Sequence, residues 1–190
     1  YCVLGLENGA LHRFNLQSGL HRGAIPKTPE VQADQKSLGN KTPHKAFNAK
    51  RPPPPPRAHS GRVCGVTITT SGQVVSTASH PTDCSLSLWK LSTHEAAGAL
   101  PLGKGRPGSP SVLLMRAHGA LVAASLDDGT LRVADLNSMA VVRSFACGVP
   151  ATDATFTPDG RWLAAALRDG GLRIFDLPAA RCIDSFVFAQ

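Results

Sequence analysis

An all-β fold made of repeated four-stranded antiparallel units, a segment of a β-propeller, is predicted by three features. A tight turn recurs at a constant offset from a strand end, the spacing between repeats is close to forty residues, and apolar residues alternate between the turns. The turns are Asn8-Gly9, Asp83-Cys84, Asp128-Gly129 and Asp169-Gly170, and five residues after each stand Phe14-Asn15, Trp89-Lys90, Ala134-Asp135 and Phe175-Asp176. A constant offset is what repeated hairpins give, because the turn fixes the register of the strands it joins. Trp89 to Ala134 is 45 residues and Ala134 to Phe175 is 41, close to the ~40 to 45 of a propeller blade. Phe14 to Trp89 is 75 residues, one period plus an insertion.

The strands follow in order. Cys2 to Leu6 and Leu11 to Leu16 flank Glu7-Asn8-Gly9, and a third strand from about Leu20 to Ile25 ends at Pro26, which cannot donate to a ladder. Residues 27–58 carry five consecutive prolines, Pro52 to Pro56, and neither strand nor helix periodicity. This stretch reads as a disordered or polyproline insertion between blades. The second blade places strands at Arg62 to Ile68, Gln73 to Ala78 and Ser85 to Leu91. The third reads Ser111 to Arg116, Ala120 to Leu126, Thr130 to Leu136 and Ala140 to Phe145. The fourth reads Ala151 to Thr157, Arg161 to Leu167, Leu172 to Leu177 and Arg181 to Phe188. The organisation expected is a partial first blade (1–26), the insertion (27–58), and blades at 59–102, 103–146 and 147–190. Blades need neighbours to bury their faces, so a chain of about four that opens on Tyr1 is read as a segment of a longer protein, not expected to melt cooperatively by itself.

Bulk properties narrow the chemistry. Hydrophobic residues make up 42% of the chain, enough for a core. The cysteines Cys2, Cys64, Cys84, Cys147 and Cys182 are scattered without C-x-x-C or Cys/His spacing, which points away from zinc and disulfides and toward a reducing compartment. No apolar run approaches a membrane span. Net charge is +7, and from Lys27 to Arg57 seven basic residues stand against Glu30 and Asp34. Lysines and arginines on a tether with few aromatics suit sequence-independent contact with RNA phosphates or an acidic protein, so Lys41, Lys45, Lys50, Arg51 and Arg57 are the candidate contact residues. The alternative is a solvated loop, and the proline run reads best as a spacer.

The flanking strings carry a closer likeness. Pro158-Asp159-Gly160-Arg161-Trp162-Leu163, Leu172 through Pro178 and Cys182-Ile183-Asp184-Ser185-Phe186 resemble one blade of a WD40 (WD-repeat) family. It is the family associated with U3 small nucleolar RNA in the small-subunit processome, the U-three protein twenty-one family. Asn15 through Gly23 resembles its strand and turn several blades upstream, and Val141-Val142-Arg143-Ser144-Phe145 fits between them. The resemblance implies a non-catalytic nuclear and nucleolar scaffold of the U3 snoRNP that supports 18S rRNA processing and ribosome biogenesis. It implies partnership with other processome proteins, WD-repeat subunits above all, and with pre-rRNA or U3 snoRNA through the basic insertion, with no cofactor, membrane or small-molecule substrate. The rival reading is a WD-repeat adaptor in a cytoplasmic signalling or ubiquitin-ligase complex.

WD repeats often hold a His, Ser, Trp, Asp hydrogen-bonded set, and only the second blade offers all four, as His59, Ser79, Trp89 and Asp83. In the fourth blade Phe175 replaces the Trp and Leu167 stands at the Ser position; in the third, Ala134 replaces the Trp. These four residues are read as a structural network rather than a nucleophilic triad, since no G-x-S-x-G elbow is present. Asp128, Asp159 and Asp169 are read as turn formers rather than cation ligands, and Gly103 to Gly108 as a blade connector rather than a phosphate loop. Small apolar strings such as Ala164-Ala165-Ala166 are expected to face the central channel, which leaves no convergent polar groups for catalysis.

Overall fold

The computed structural model describes residues 1–26, 57–103 and 109–187. The insertion therefore lies outside the described residues except for its last two positions. Among the described residues the chain is all β, in four antiparallel meanders. The first has three strands, β1 (Cys2–Gly5), β2 (Leu11–Phe14) and β3 (His21–Ile25). The second contains β4 (Arg62–Ile68), β5 (Gln73–Ser79), β6 (Ser85–Lys90) and β7 (Ala96–Pro101). The third contains β8 (Val112–His118), β9 (Leu121–Leu126), β10 (Thr130–Asp135) and β11 (Ala140–Ala146); the fourth, β12 (Ala151–Phe156), β13 (Trp162–Leu167), β14 (Gly171–Asp176) and β15 (Arg181–Val187). No helix among the described residues is long and apolar enough to cross a membrane.

The recurring turns are built by their acidic or amide residues. Asn8, Asp128, Asp159 and Asp169 each accept the backbone N–H two residues on, from Ala10, Thr130, Arg161 and Gly171, at 2.9–3.1 Å. Competition of this kind with the ladder favours turns. The glycine that follows takes positive φ, +82° at Gly9 and +78° at Gly129, a conformation open to glycine at no steric cost. The carboxylates are thereby occupied as turn formers, and no cluster of three or more metal-ligating side chains occurs among the described residues.

Core formation takes place between sheets. Val3, Leu11 and Ile25 of the first sheet close on Val74 and Trp89 of the second. Val75, Leu86 and Leu88 of the second close on Val112, Met115, Val122 and Ala134 of the third. Leu131, Val133 and Phe145 of the third close on Ala154, Leu163, Ala165 and Phe175 of the fourth, where the rings of Phe145 and Phe175 stack at 4.4 Å. Alternation along each strand supplies one set of residues to the sheet before and the other to the sheet after. The edge strands β4, β8 and β12 touch in series and form the inner wall. Ala164-Ala165-Ala166 does not line that wall as expected: it lies on β13, one strand outward, with Ala165 fully buried between sheets. The wall instead carries an exposed Arg116 to Asp153 ion pair at 2.8 Å.

The stacking makes a quantitative contrast. Phe175→Ala, which empties the slot against Phe145, should destabilise the chain by about 3–5 kcal/mol. Leu16→Ala, at a side chain 70% exposed, should stay within about 0.5 kcal/mol. Chemical denaturation of both variants beside the parent measures the difference, and equal effects would refute inter-sheet packing as the source of stability.

Candidate functional site

The densest set of buried polar groups lies where the chain enters the second sheet. His59 precedes β4, and its backbone N–H donates to the Gly9 carbonyl at 3.1 Å. That contact hangs it from the turn of the first sheet and directs its ring into the second. The ring is buried between β5, β6 and the loop that joins them. Its Nδ1 lies 2.9 Å from Asp83 Oδ2, and its Nε2 lies 2.7 Å from Ser76 Oγ. Trp89 Nε1–H donates to the same Ser76 Oγ at 2.9 Å.

These four groups fix one another's protons. Asp83 only accepts, which places the ring proton on Nδ1 and leaves His59 Nε2 to take the Ser76 hydroxyl hydrogen, while Ser76 accepts from Trp89. Nδ1 thus donates to Asp83. Asp83 also accepts the Ser60 N–H and the Ser85 hydroxyl, each at 3.1 Å. Burial pushes the Asp83 carboxyl upward, but the bonds from His59, Ser60 and Ser85 outweigh it and hold the carboxyl below its ordinary range.

The serine in this relay is Ser76, not the Ser79 read from the sequence. Counting back from Asp83 reaches Ser79 because the connection from His80 to Cys84 is two residues longer than those of the third and fourth sheets. The ladder gives the true register: Val74 faces Trp89 as Val122 faces Ala134 and Leu163 faces Phe175. Two residues further on, Ser76 corresponds to Ala124 and Ala165, so the position read as Leu167 in the fourth sheet is also corrected, to Ala165. All three are fully buried.

The relay resembles a nucleophile, base and acid only in composition. Ser76 Oγ is shut off from solvent and pinned by two partners, whereas a nucleophile needs an approach for substrate. What the arrangement does is brace β5, β6 and the entry to β4 together. Beside it an open cleft of about 560 Å³ is lined by Arg57, Ala58, His59, Ser60, Thr82 and Asp83. Arg57 is exposed on this rim. Lys41, Lys45, Lys50 and Arg51 lie outside the described residues. Of the string Gly103 to Gly108, the described residue is Gly103.

Sequence reasoning passed over a pair of arginine straps. Arg13 donates from the first sheet to the Leu91 carbonyl of the second. Arg143 donates from the third to the carbonyls of Leu177 and Pro178 in the fourth. Each spans from one sheet to a turn of the next. Their partners are backbone carbonyls, which leave no mark in side-chain pattern.

Two measurements check the brace. Ser76→Ala strands His59 Nε2 and the Trp89 N–H in the core and should cost about 1–3 kcal/mol, whereas Ser79→Ala should stay within about 0.5 kcal/mol; the reverse order would restore the sequence assignment. The lowered Asp83 carboxyl contributes stability that is complete above the ordinary aspartate value of about 3.9 and is lost as pH falls through the folded value. The unfolding free-energy gap between the parent and Asp83→Asn should accordingly be constant from pH 7 to 5 and narrow below about pH 4, as followed by urea unfolding at each pH.

Residues 1–190 match the family model described as the WDR36/Utp21 second beta-propeller domain. WD repeat-containing protein 36 of Homo sapiens is 28% identical over 164 residues, which cover 86% of this chain and 14% of that protein. This chain thus spans a small part of the length of the curated relative it matches. The crystal structure of the computationally designed Ika8 protein aligns with a TM-score of 0.67 at 14% identity, over 97% of this chain and 45% of that one, a likeness of fold alone.

Proposed function

The chain belongs to the WDR36/Utp21 second β-propeller family, and from that premise we propose that it is a non-catalytic scaffold segment of the nucleolar small-subunit processome, acting with the U3 snoRNP in 18S rRNA processing. The observation that carries this reading is the family match over all 190 residues. The geometry is consistent with binding rather than chemistry. The triad-like set among the described residues is sealed in a structural relay, and the stacked sheets offer rims, turns and outer strands to several partners at once. Residues 1–26 serve as part of a first blade and 59–102, 103–146 and 147–190 as one blade each, and His59, Ser76, Asp83 and Trp89 keep the second blade rigid. Partners are other processome proteins, WD-repeat subunits above all. Lys41, Lys45, Lys50, Arg51 and Arg57 supply contact with pre-rRNA or U3 snoRNA phosphates.

Affinity purification of the tagged protein from cells should recover U3 RNA, and the protein should sediment with pre-ribosomal particles. A variant with those five basic residues changed to Gln should bind RNA more weakly at low salt, with the slope of log affinity against log salt reduced by about 0.7 for each single-strand phosphate contact removed. Recovery of cullin or kinase subunits without U3 RNA would replace the scaffold reading with that of a cytoplasmic adaptor. An unchanged salt slope would remove the insertion from the interface and leave the scaffold reading standing.

A further inference from the structure

We propose that His12 and His21 in the first sheet form an open two-imidazole site for a divalent ion of tetragonal preference, Ni(II) or Cu(II). The two side chains meet through a fault in the ladder. Leu11 pairs with Ile25 and His12 with Ala24, but the register shifts by one before Phe14, which pairs with His21. A shift of one residue moves a side chain to the opposite face of a sheet. Without it, Phe14 would face Arg22. With it, His21 stands on the same face as His12 and Phe14.

The resulting geometry is that of two adjacent ligands. His12 Nδ1 and His21 Nε2 are 2.8 Å apart, the ring centroids are 5.0 Å apart, and Phe14 lies against the His21 ring at 5.2 Å, inclined by 53°. That aromatic contact holds the His21 ring in place, a role usually taken in metal sites by groups behind the ligand. In the apo state one nitrogen donates to the other. The two nitrogens meet nearly head-on in this hydrogen bond; with both unprotonated, a turn of the His12 ring aims the two lone pairs at one ion, and neutral imidazole nitrogen is the commonest protein ligand for transition metals.

The separation discriminates among metals. With metal–nitrogen bonds of about 2.0 Å, nitrogens 2.8 Å apart subtend about 90° at the ion, the angle between neighbouring positions of a square-planar or tetragonal site, as Cu(II) and Ni(II) prefer. A tetrahedral Zn(II) site would require the nitrogens to open to about 3.3 Å. No third His, Cys, Asp or Glu converges with them among the described residues, so water fills the remaining positions. Cys2 pairs with Phe14 across β1 and β2 and is a free thiol, so its share has to be separated in the test.

Calorimetric titration of the whole chain carrying Cys2→Ser with Ni(II) alone should show binding tighter than for Zn(II) alone. His12→Ala and His21→Ala should each weaken Ni(II) binding by at least about tenfold, the least that loss of even an outer-shell partner of a ligand costs. His21→Gln, which retains a hydrogen-bonding partner for His12, should lose binding to the same extent, and Ni(II) should raise the melting temperature of the Cys2→Ser protein but of none of these variants. Metal-free melting curves show whether each variant folds. Undiminished Ni(II) binding by folded His12→Ala or His21→Gln, or a preference for Zn(II), would overturn the site and leave the pair as an ordinary hydrogen bond.

Discussion

The passage of this chain from each sheet to the next is fixed by one repeated backbone contact. At each of three junctions a residue on the way from one sheet to the next donates its N–H to the carbonyl of a turn residue in the sheet being left: His59 to Gly9, Leu102 to Cys84 and Cys147 to Gly129, at 2.8–3.1 Å. The bond requires the two backbones to meet closely. A methyl group added at Gly9 would stand 2.1 Å from the His59 carbonyl oxygen, and one added at Gly129 would stand 2.7 Å from the Gly148 carbonyl carbon. The positive φ of these glycines and the absence of a side chain serve the same contact. The turn residue that sets hairpin register therefore also fixes the point at which the chain departs for the next sheet.

Each junction aims a side chain into a shared slot, and the contents of that slot change as a set. Behind His59 stand Ser76 and Trp89; behind Leu102 stand Ala124 and Ala134; behind Cys147 stand Ala165 and Phe175. The first slot is fully polar and fully satisfied. The other two are apolar throughout, with Phe145 filling the space beside Phe175. A mixture is absent, in keeping with the cost of an unpaired polar group in a dry interior, about 1–3 kcal/mol, and with the near neutrality of replacing a whole buried network by well-packed apolar groups. The substitutions that look like erosion of a repeat in the sequence are coherent alternatives in the structure.

Much of the fold was legible because period and turn chemistry are local. The offset from Asp128-Gly129 to Ala134, or from Asp169-Gly170 to Phe175, survives intact into the ladders of the third and fourth sheets. The strand β7 was not, since Ala96-Ala97-Gly98-Ala99 has neither β-branched residues nor alternation, and β6 alone draws it into the sheet. Ser76 was missed for a related reason. Position within a strand follows cross-strand pairing, while counting from a turn is accurate only when loop lengths match, and the connection ahead of Cys84 breaks that condition. The first-sheet register shift that brings His21 beside His12 has no sequence sign beyond Gly23, whose φ is +106°, and the arginine straps have none at all.

The polar slot also occupies a particular place in the chain. Between β11 and β12 the connection is four residues, Cys147 to Pro150, while between β3 and β4 it runs from Pro26 to Gly61, nine times as long. Closure entropy grows as the logarithm of length, so the longer connection costs about 2 kcal/mol more. The chain re-enters at His59, where a backbone bond to Gly9, two ring bonds to Asp83 and Ser76 and the Ser60 N–H bond to Asp83 converge within two residues. Hydrogen bonds to charged groups contribute about 1.5–3 kcal/mol and neutral ones about 1 kcal/mol, enough to offset that closure term. An apolar slot would keep the backbone bond to the turn but lose the two ring bonds and the Ser60 bond to Asp83 at the point of return. The complete His, Ser, Trp, Asp set among the described residues thus stands where the repeat is interrupted, and its bonds offset the added closure cost of the long segment carried there.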